Sequence, residues 1–384
     1  TDAREVDELG LVEAAEVGVV LIEWPERGTG FLPDVSIEIS VETGASESQR
    51  IFTVTGAPGA MERLQRSLAL RQFLIENNHT DAHRSHFTGD ASTRSYELVT
   101  GSQRSSPLIL MNAPAQPDGP PIKDQKSYSQ IAHLAEDVSA YVGVTLVLEE
   151  NGFRVPQIHA RDIDQGFLMI EHLGDGQIID SNRVPIPERY IACVETLVRL
   201  HNHKWNASID IDENRHHHIH SFDRSSMLIE VDLLAQWYAP YRHGSRLAAS
   251  DIEEFQSIWD GLVTELQSAE TSLLLRDFHS PNILWCGQES GVDRTGLIDF
   301  QDAMIGPTAY DLASLAQDAR VDVSRELEHI LVNHYCTCRQ SESDFDEQSF
   351  RRDYAIMAAE RATKVLGIFV RLSKRDGKHD YLAH

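Results

Sequence analysis

Apolar positions change their period several times along the chain. From Glu5 to Val17 they fall at helical spacing among many acids, and Val19 to Glu23 is a short apolar run that predicts a strand. Ser36 to Val41 and Ile51 to Thr55 alternate as an antiparallel pair. Gly56 to Gly59 reads as a linker, after which Leu64, Leu68, Phe73 and Leu74 predict an amphipathic helix over Met61 to Asn77. Between Gly89 and Gly174 the pattern becomes strand-rich, with strands at Ser95 to Val99, Leu108 to Met111 and Gly166 to Glu171 and one long helix over Ile131 to Glu150. Pro187 is placed to open a helix, and the chain is predicted largely helical from there, with Leu197, Leu200, Leu228, Val231, Leu234 and Leu312 in the core.

Three short apolar runs interrupt that helical stretch: Leu273 to Leu275, Ile283 to Trp285 and Leu297 to Phe300. They bracket Asp277, Asn282 and Asp299, as short strands flanking a polar loop require. Phosphoryl transfer from ATP needs a carboxylate beside the acceptor hydroxyl and an oxygen-ligand pair that holds Mg2+ against the phosphates. Asp277 suits the first need, and Asn282 with Asp299 the second. A spaced Asp and Asn alone also make ordinary turns, so the bracketing strands carry the inference. Asp311 opens the next apolar helical stretch and either caps it or braces the loop.

Composition narrows the class. A chain of 384 residues calls for two or three domains, and 41% hydrophobic with 24% charged residues fits a globular protein. No apolar run approaches the ~20 residues that span a bilayer and no signal pattern opens the chain, so a cytoplasmic location is expected. A formal net charge of -26 disfavours nucleic acid and anionic membrane as partners. Any phosphate site must therefore rest on metal ions, backbone amides and a few local cations. Cys193, Cys286, Cys336 and Cys338 suit neither a zinc knuckle nor a disulfide framework. The run of His216, His217, His218 and His220 has no metal-ligand spacing, because consecutive side chains cannot all face one ion on regular structure.

From about Gly89 onward the motifs add up to a resemblance. Gly-Asp-Ala-Ser-Thr-Arg-Ser-Tyr (89–96), Leu-Met-Asn-Ala-Pro (110–114), Arg-Asp-Phe-His-Ser-Pro-Asn (276–282), Asp-Phe-Gln-Asp-Ala (299–303), Gly-Pro-Thr-Ala-Tyr-Asp-Leu (306–312) and Lys-Val-Leu-Gly-Ile-Phe-Val-Arg (364–371) with Arg-Asp-Gly-Lys (375–378) resemble the aminoglycoside phosphotransferase and choline kinase superfamily. Within it, the chain is most similar to the bacterial anomeric kinases of N-acetylmuramate and N-acetylglucosamine. Residues 1–56, through Glu5 to Gly10 and Leu-Ile-Glu-Trp-Pro-Glu-Arg-Gly (21–28), resemble the C-terminal half of the TsaE ATPase subunit of the tRNA threonylcarbamoyladenosine machinery, without a Walker A motif. The two resemblances imply a fragment of a longer fusion, with its last helix cut off after His384, and a link to that tRNA machinery.

The implied fold is α+β: a two-lobed, protein-kinase-like arrangement with an antiparallel-sheet lobe over 61–174, a mainly helical lobe over 175–384, and the small α/β piece at 1–56. The implied cofactors are ATP and Mg2+, with Asp277 at the catalytic-base position and Asn282 and Asp299 on the metal. Gly89 to Tyr96 corresponds to the loop over the phosphates, with Ser92 and Thr93 offering hydroxyls, and Glu171 to Leu173 fall where hinge backbone meets adenine. Relatives with aminoglycoside or choline substrates carry a strand lysine where this chain has Met111, so Arg94, Lys123 or Lys126 must supply the cation, with Arg94 the first choice. Leu275 stands where the family usually has a loop-bracing His. His279, Asp302 and Trp237 are candidates for the sugar pocket, Trp237 being equally suited to the core.

The resemblance thus implies phosphorylation of the anomeric hydroxyl of a small amino sugar in cell-wall recycling. Two other functions are kept beside it. One changes the acceptor to an aminoglycoside or a small amino alcohol. The other is a non-catalytic nucleotide-binding regulator of the fused tRNA-modification subunit.

Overall fold

The computed structural model describes residues 10–25, 37–87, 94–101, 106–341 and 344–384. Contacts divide the chain into two compact units, 1–80 and 81–384. In the first, helix α1 (Leu11–Val17) is followed by an antiparallel hairpin of β1 (Ile37–Thr43) and β2 (Arg50–Gly56) and by helix α2 (Pro58–Glu76). α2 starts with proline in its first turn, where the missing N–H has no intrahelical partner to lose. The hairpin leaves Ile39, Val41, Ile51 and Phe52 exposed, and the buried apolar side chains of this unit, among the described residues, are Ala60, Leu70, Phe73 and Leu74 of α2. The strand predicted over Val19 to Glu23 does not form. Val19 and Leu21 are 90% and 89% exposed, and among the described residues no strand pairs with the run to hold it extended.

The second unit opens with a five-stranded antiparallel sheet in the order β3-β4-β5-β7-β6, built from β3 (His83–Phe87), β4 (Ser95–Thr100), β5 (Leu108–Asn112), β6 (Ile158–Asp162) and β7 (Phe167–Glu171). Its register sets Tyr96, Met111 and Leu168 side by side across three strands. The two edge strands escape sequence pattern. His-Arg-Ser-His-Phe and Ile-His-Ala-Arg-Asp have little apolar alternation because an edge needs less of it, and edge charges also discourage pairing with other chains.

The long helix predicted over Ile131 to Glu150 is two helices, α3 (Tyr128–Ala132) and α4 (Val138–Glu150). His133 adopts a left-handed conformation (φ 51°) that ends α3, and the Asp137 side chain accepts the Ser139 amide at 2.7 Å to start α4. The apolar pattern runs through the break because the two pieces serve different cores. Ile131 and Ala132 pack with Ile229, whereas Tyr141, Val142, Val144 and Leu148 pack with Met111, Leu168 and Ile170 of the sheet.

The remainder is mainly helical, with α5 (Pro187–Asn202), α6 (Arg224–Leu233), α7 (Ala239–His243), α8 (Ala249–Glu265), α9 (Ala309–Ala316), α10 (Arg325–Arg339) and α11 (Glu347–Asp376). Leu197, Leu200, Val231 and Leu312 are buried, and Leu228 and Leu234 are half-buried. A hairpin of β8 (Ser208–Asp212) and β9 (Arg215–His218) departs from the helical expectation. It buries Ile209 and Ile211 and approaches α4 at Gly143, where a Cβ would come 2.8 Å from the Cβ of His217. Its histidines serve local contacts: His216 meets Asp210 at 2.6 Å, and His220 stacks on His133 with 4.4 Å between ring centres. Among the described residues, no three His, Cys, Asp or Glu side chains are arranged to hold a metal ion, and no helix is long and apolar enough to cross a membrane. All four cysteines are free thiols.

Two small antiparallel pairs complete the unit: β10 (Thr271–Leu274) with β13 (Met304–Pro307), and β11 (Ile283–Trp285) with β12 (Thr295–Leu297). They hold the loops that carry Asp277, Asn282 and Asp299.

Candidate active site

Asp277 and Asn282 lie on the loop from β10 to β11, a tight turn in which the Asp277 amide bonds Leu275 O at 2.8 Å and the Asn282 amide bonds His279 O at 2.9 Å. Arg276 takes a left-handed conformation, φ 71°. That turn is fixed from below by Asp311 in the first turn of α9, whose Oδ2 accepts the Leu275 amide at 2.5 Å and Oδ1 the Arg276 amide at 2.9 Å. Burial pushes the Asp311 carboxyl up to about 7, against the pull of those two amides. The sequence left Asp311 open between helix cap and loop brace, and its carboxylate reaches the loop.

The Arg276 side chain turns inward. Its guanidinium is buried, pairs with the fully buried Glu230 of α6, and donates to Ala132 O at 2.9 Å. Lys364 of α11 reaches the same Glu230 carboxylate at 3.0 Å. Burial raises the carboxyl of the neighbouring Glu360 well above its ordinary value, and the Glu230 charge adds to that. A buried acid with two cations thus underlies the loop, an arrangement in which each charge has a partner.

Asp299 lies two positions past the end of β12 and is itself left-handed, φ 59°. Asn282 ties it to the first loop: its Nδ2 donates to Asp277 O at 3.0 Å and lies 3.4 Å from Asp299 Oδ2. Gln301 Nε2 donates to Asp299 Oδ1 at 2.9 Å, and Arg94 Nη1, at the start of β4, is 3.4 Å from the same oxygen. Next to Asp299, Phe300 stacks on Tyr141 of α4, with 5.1 Å between ring centres, which links the sheet-side helix to this loop.

The two carboxylates differ in character. Asp277 keeps 41% of its side chain exposed; its seat in the loop opposes its charge, but the His279 ring 3.7 Å away and the cations Lys364 and Arg276 hold its carboxyl well below the usual range. Asp299 is raised, first by burial and then by the charge of Asp277, with Gln301 and Arg94 pulling the other way. The site therefore presents one firmly ionised, accessible carboxylate beside a second whose charge a cation would favour.

The other predicted residues divide. His279 is buried in the Asp277 loop, its Nε2 lying 3.1 Å from Arg320 Nη1. Asp302 Oδ1 accepts the Ala135 amide at 2.6 Å, tying down the link from α3 to α4. Glu171 ends β7 and engages Arg154 with both carboxylate oxygens, at 2.7 and 2.5 Å, so only its backbone remains for a ligand. Leu173 follows it and lies against Gly296, where a Cβ would come 2.9 Å from Leu173 Cδ1. Trp237 is half-buried in a π-helical turn, Leu234–Tyr238, between α6 and α7. Met111 is buried in the sheet, Lys123 acts on Asp232 of α6, and Lys126 is exposed, so among these candidates the cation beside Asp299 is Arg94. Ser92 and Thr93 lie outside the described residues.

Glu230, Lys364, Asp318 and Arg320 were not singled out from sequence. Asp318 accepts both the amide (2.9 Å) and the hydroxyl (2.6 Å) of Ser280, and the amide of Arg320 at 2.9 Å, which fastens the far side of the Asp277 loop. Nothing local marks these residues, whose partners lie tens of positions away in sequence.

Chemically, Asp277 can accept the proton of a hydroxyl placed against it. With its Nδ2 turned to the loop, Asn282 offers Oδ1, and together with the Asp299 carboxylate this gives a pair of hard oxygen ligands. Such a donor set suits Mg2+, and the repulsion that raises Asp299 is what a divalent cation would relieve. When bound, the ion supplies charge stabilisation to a nucleotide's phosphates.

Comparison with known proteins gives the family and the fold. Residues 83–350 match the phosphotransferase enzyme family. A Caulobacter vibrioides protein named N-acetylmuramate/N-acetylglucosamine kinase is 30% identical over 327 residues, covering 83% of this chain and 88% of that one. Among solved structures, Plasmodium vivax ethanolamine kinase superposes with a TM-score of 0.57 at 13% identity over 86% of this chain and 88% of that one. An ADP-bound aminoglycoside phosphotransferase gives 0.51 at 12% identity over 83% and 94%. These likenesses establish the two-lobed, kinase-like fold, an antiparallel-sheet lobe joined to a mainly helical one. With the family match spanning most of the chain and the Asp277, Asn282 and Asp299 side chains drawn together, the chain belongs to the phosphotransferase enzyme family and is a kinase for a hydroxyl-bearing acceptor.

Proposed function

We propose that the protein transfers the terminal phosphoryl group of ATP, with Mg2+, to the anomeric hydroxyl of N-acetylmuramate or N-acetylglucosamine, in the cytoplasm and in the service of cell-wall recycling. The observation that carries the acceptor is the 30% identity, across 83% of the chain, to a protein named for those two sugars. Asp277 orients and deprotonates the anomeric hydroxyl. Asn282 and Asp299 hold the metal, and Arg94 supplies the phosphate-side cation that Met111 does not. The backbone of Glu171 to Leu173 receives adenine. Ser92 and Thr93 belong to the loop over the phosphates, and His279, Asp302 and Trp237 to the acceptor side.

The decisive experiment incubates the purified protein with ATP, Mg2+ and each sugar and detects the sugar phosphate by mass. Formation of the 1-phosphate well above the level given by Asp277→Ala supports the proposal. A product found only with an aminoglycoside or an amino alcohol replaces the acceptor, and nucleotide binding without any product replaces catalysis with a regulatory role. For the first unit, the proposed TsaE-like origin and its tie to tRNA modification rest on the resemblance of residues 5–10 and 21–28. Failure of the protein to bind any subunit of that machinery in a pull-down removes them.

A further inference from the structure

Beside the Asp277 loop the second unit carries a cleft of about 560 Å³, lined by Pro281 of that loop and by Arg320, Lys378, His379, Asp380 and Tyr381, among others. Basic side chains outnumber acids here, in a chain with 34 Lys and Arg against 60 Asp and Glu. The cleft is also wired to the reacting carboxylate. Arg320 Nη1 is 3.1 Å from His279 Nε2, which is in turn 3.7 Å from Asp277 Oδ1. The guanidinium is therefore two short contacts from the carboxylate, across the buried His279 ring, on the side a substituent on C3 would reach in a hexose whose anomeric oxygen meets Asp277.

The two sugars of the proposed reaction differ by one group at that place. N-acetylmuramate carries a lactyl ether on C3, ending in a carboxylate, where N-acetylglucosamine has a hydroxyl. A chain of net charge -26 repels an anionic acceptor unless cations are held locally. Arg320 offers a planar fork that matches a carboxylate and is kept in place by its stack on Phe369, 5.7 Å to the ring centre. Lys378 adds a point charge from the turn after α11, where Gly377 adopts φ 72° and ends the helix. Tyr381 presents an aromatic surface of the kind sugar rings lie against.

Resting on the amino-sugar reading, we infer that this cleft is a carboxylate subsite for the acceptor, with Arg320 and Lys378 as its cations, and that it sets the preference between the lactyl-bearing and the plain sugar. Asp380 lines the same cleft and limits how strongly an anion is held.

The test compares kcat/KM for N-acetylmuramate with that for N-acetylglucosamine in the wild-type chain and in Lys378→Gln and Lys378→Glu. The ratio should fall about 10-fold or more in Lys378→Gln, the scale of one charge-assisted hydrogen bond, and further in Lys378→Glu. Because the measurement is a ratio within one preparation, a loss of folded protein cancels from it. An unchanged ratio, with both sugars turned over by the wild type, overturns the subsite alone. Turnover of neither sugar, or of N-acetylglucosamine only, overturns the subsite as well, and turnover of neither removes the acceptor assignment beneath it.

Discussion

The Asp311 carboxylate holds the backbone of Leu275, accepting its amide at 2.5 Å while the other oxygen takes the amide of Arg276 at 2.9 Å. This contact spans 36 positions of sequence and sets the approach to Asp277. Asp311→Ala leaves two buried amides without acceptors, each costing about 1–3 kcal/mol. The variant should lose stability by that order in denaturant unfolding, and its kcat should fall more than its KM for ATP rises, because the loop and not the nucleotide cleft is released.

Glu230 is buried between Arg276 and Lys364. Glu230→Ala strands two interior cations, and breaking a buried pair in this way costs about 3–5 kcal/mol. Chemical denaturation should show that loss. The double change Glu230→Met with Arg276→Met should recover part of it, since two apolar side chains no longer need partners.

Asp299 is raised by burial and by the Asp277 charge. Asp299→Asn removes the proposed metal ligand and one member of that repelling pair, so the Mg2+ concentration at half-maximal activity should rise while Asp277→Asn leaves it nearly unchanged. Instead, Asp277→Asn should lower kcat by about 10²–10⁴-fold, the range for loss of a general base. A Mg2+ titration that moved equally in both variants would separate the two residues from these roles.

His201 on α5 is buried against Tyr335, with Nδ1 2.8 Å from the hydroxyl, and burial, helped by the Arg339 charge, pushes it down to about 3. Its pKa is lower in the folded than in the unfolded chain, so the unfolded state binds the extra proton. The associated stability is present above about 6.5, the ordinary histidine value, and is lost as pH falls from there toward 3. Asp311, raised to about 7, acts in the opposite sense over part of that window, since the folded state binds its proton first. A difference experiment isolates His201: from pH 6.5 downward the wild type should lose about 1.4 kcal/mol per unit relative to His201→Gln.

Gly367 in α11 touches the end of α6 so closely that a Cβ would lie 2.5 Å from the carbonyl oxygen of Leu233. Backbone cannot swing aside as a side chain can, so Gly367→Ala should cost about 1–3 kcal/mol or more and lower the melting temperature, although alanine is the better helix former. An unchanged melting temperature would show that the two helices slide apart freely.

How far these features could be read beforehand depends on the range of the forces involved. Asp277, Asn282 and Asp299 stood out because each is flanked by a run of apolar residues, a local signal, and Pro187 marked its helix start for the same reason. The break at His133 was hidden because Ile131 and Val138 are both apolar yet pack into different cores. The hairpin of β8 and β9 was masked by its polar strands, in which only Ile209 and Ile211 turn inward. The meeting of Arg276, Glu230 and Lys364 in the interior was not legible, since nothing near any of them in sequence names its partners. Arg320 was passed over for the same reason, its partner His279 lying 41 positions away.

Arg276 at φ 71° and Asp299 at φ 59° both adopt a backbone shape in which an L side chain costs roughly 1–2 kcal/mol and glycine almost nothing. Selection for thermal endurance alone would favour glycine at Asp299, whose carboxyl burial already disfavours, but not at Arg276, whose guanidinium partners the buried Glu230. A laboratory search for hardier variants that reads only melting behaviour should therefore collect Asp299→Gly and, with it, loss of the proposed metal ligand, so such a search has to score turnover alongside heat resistance.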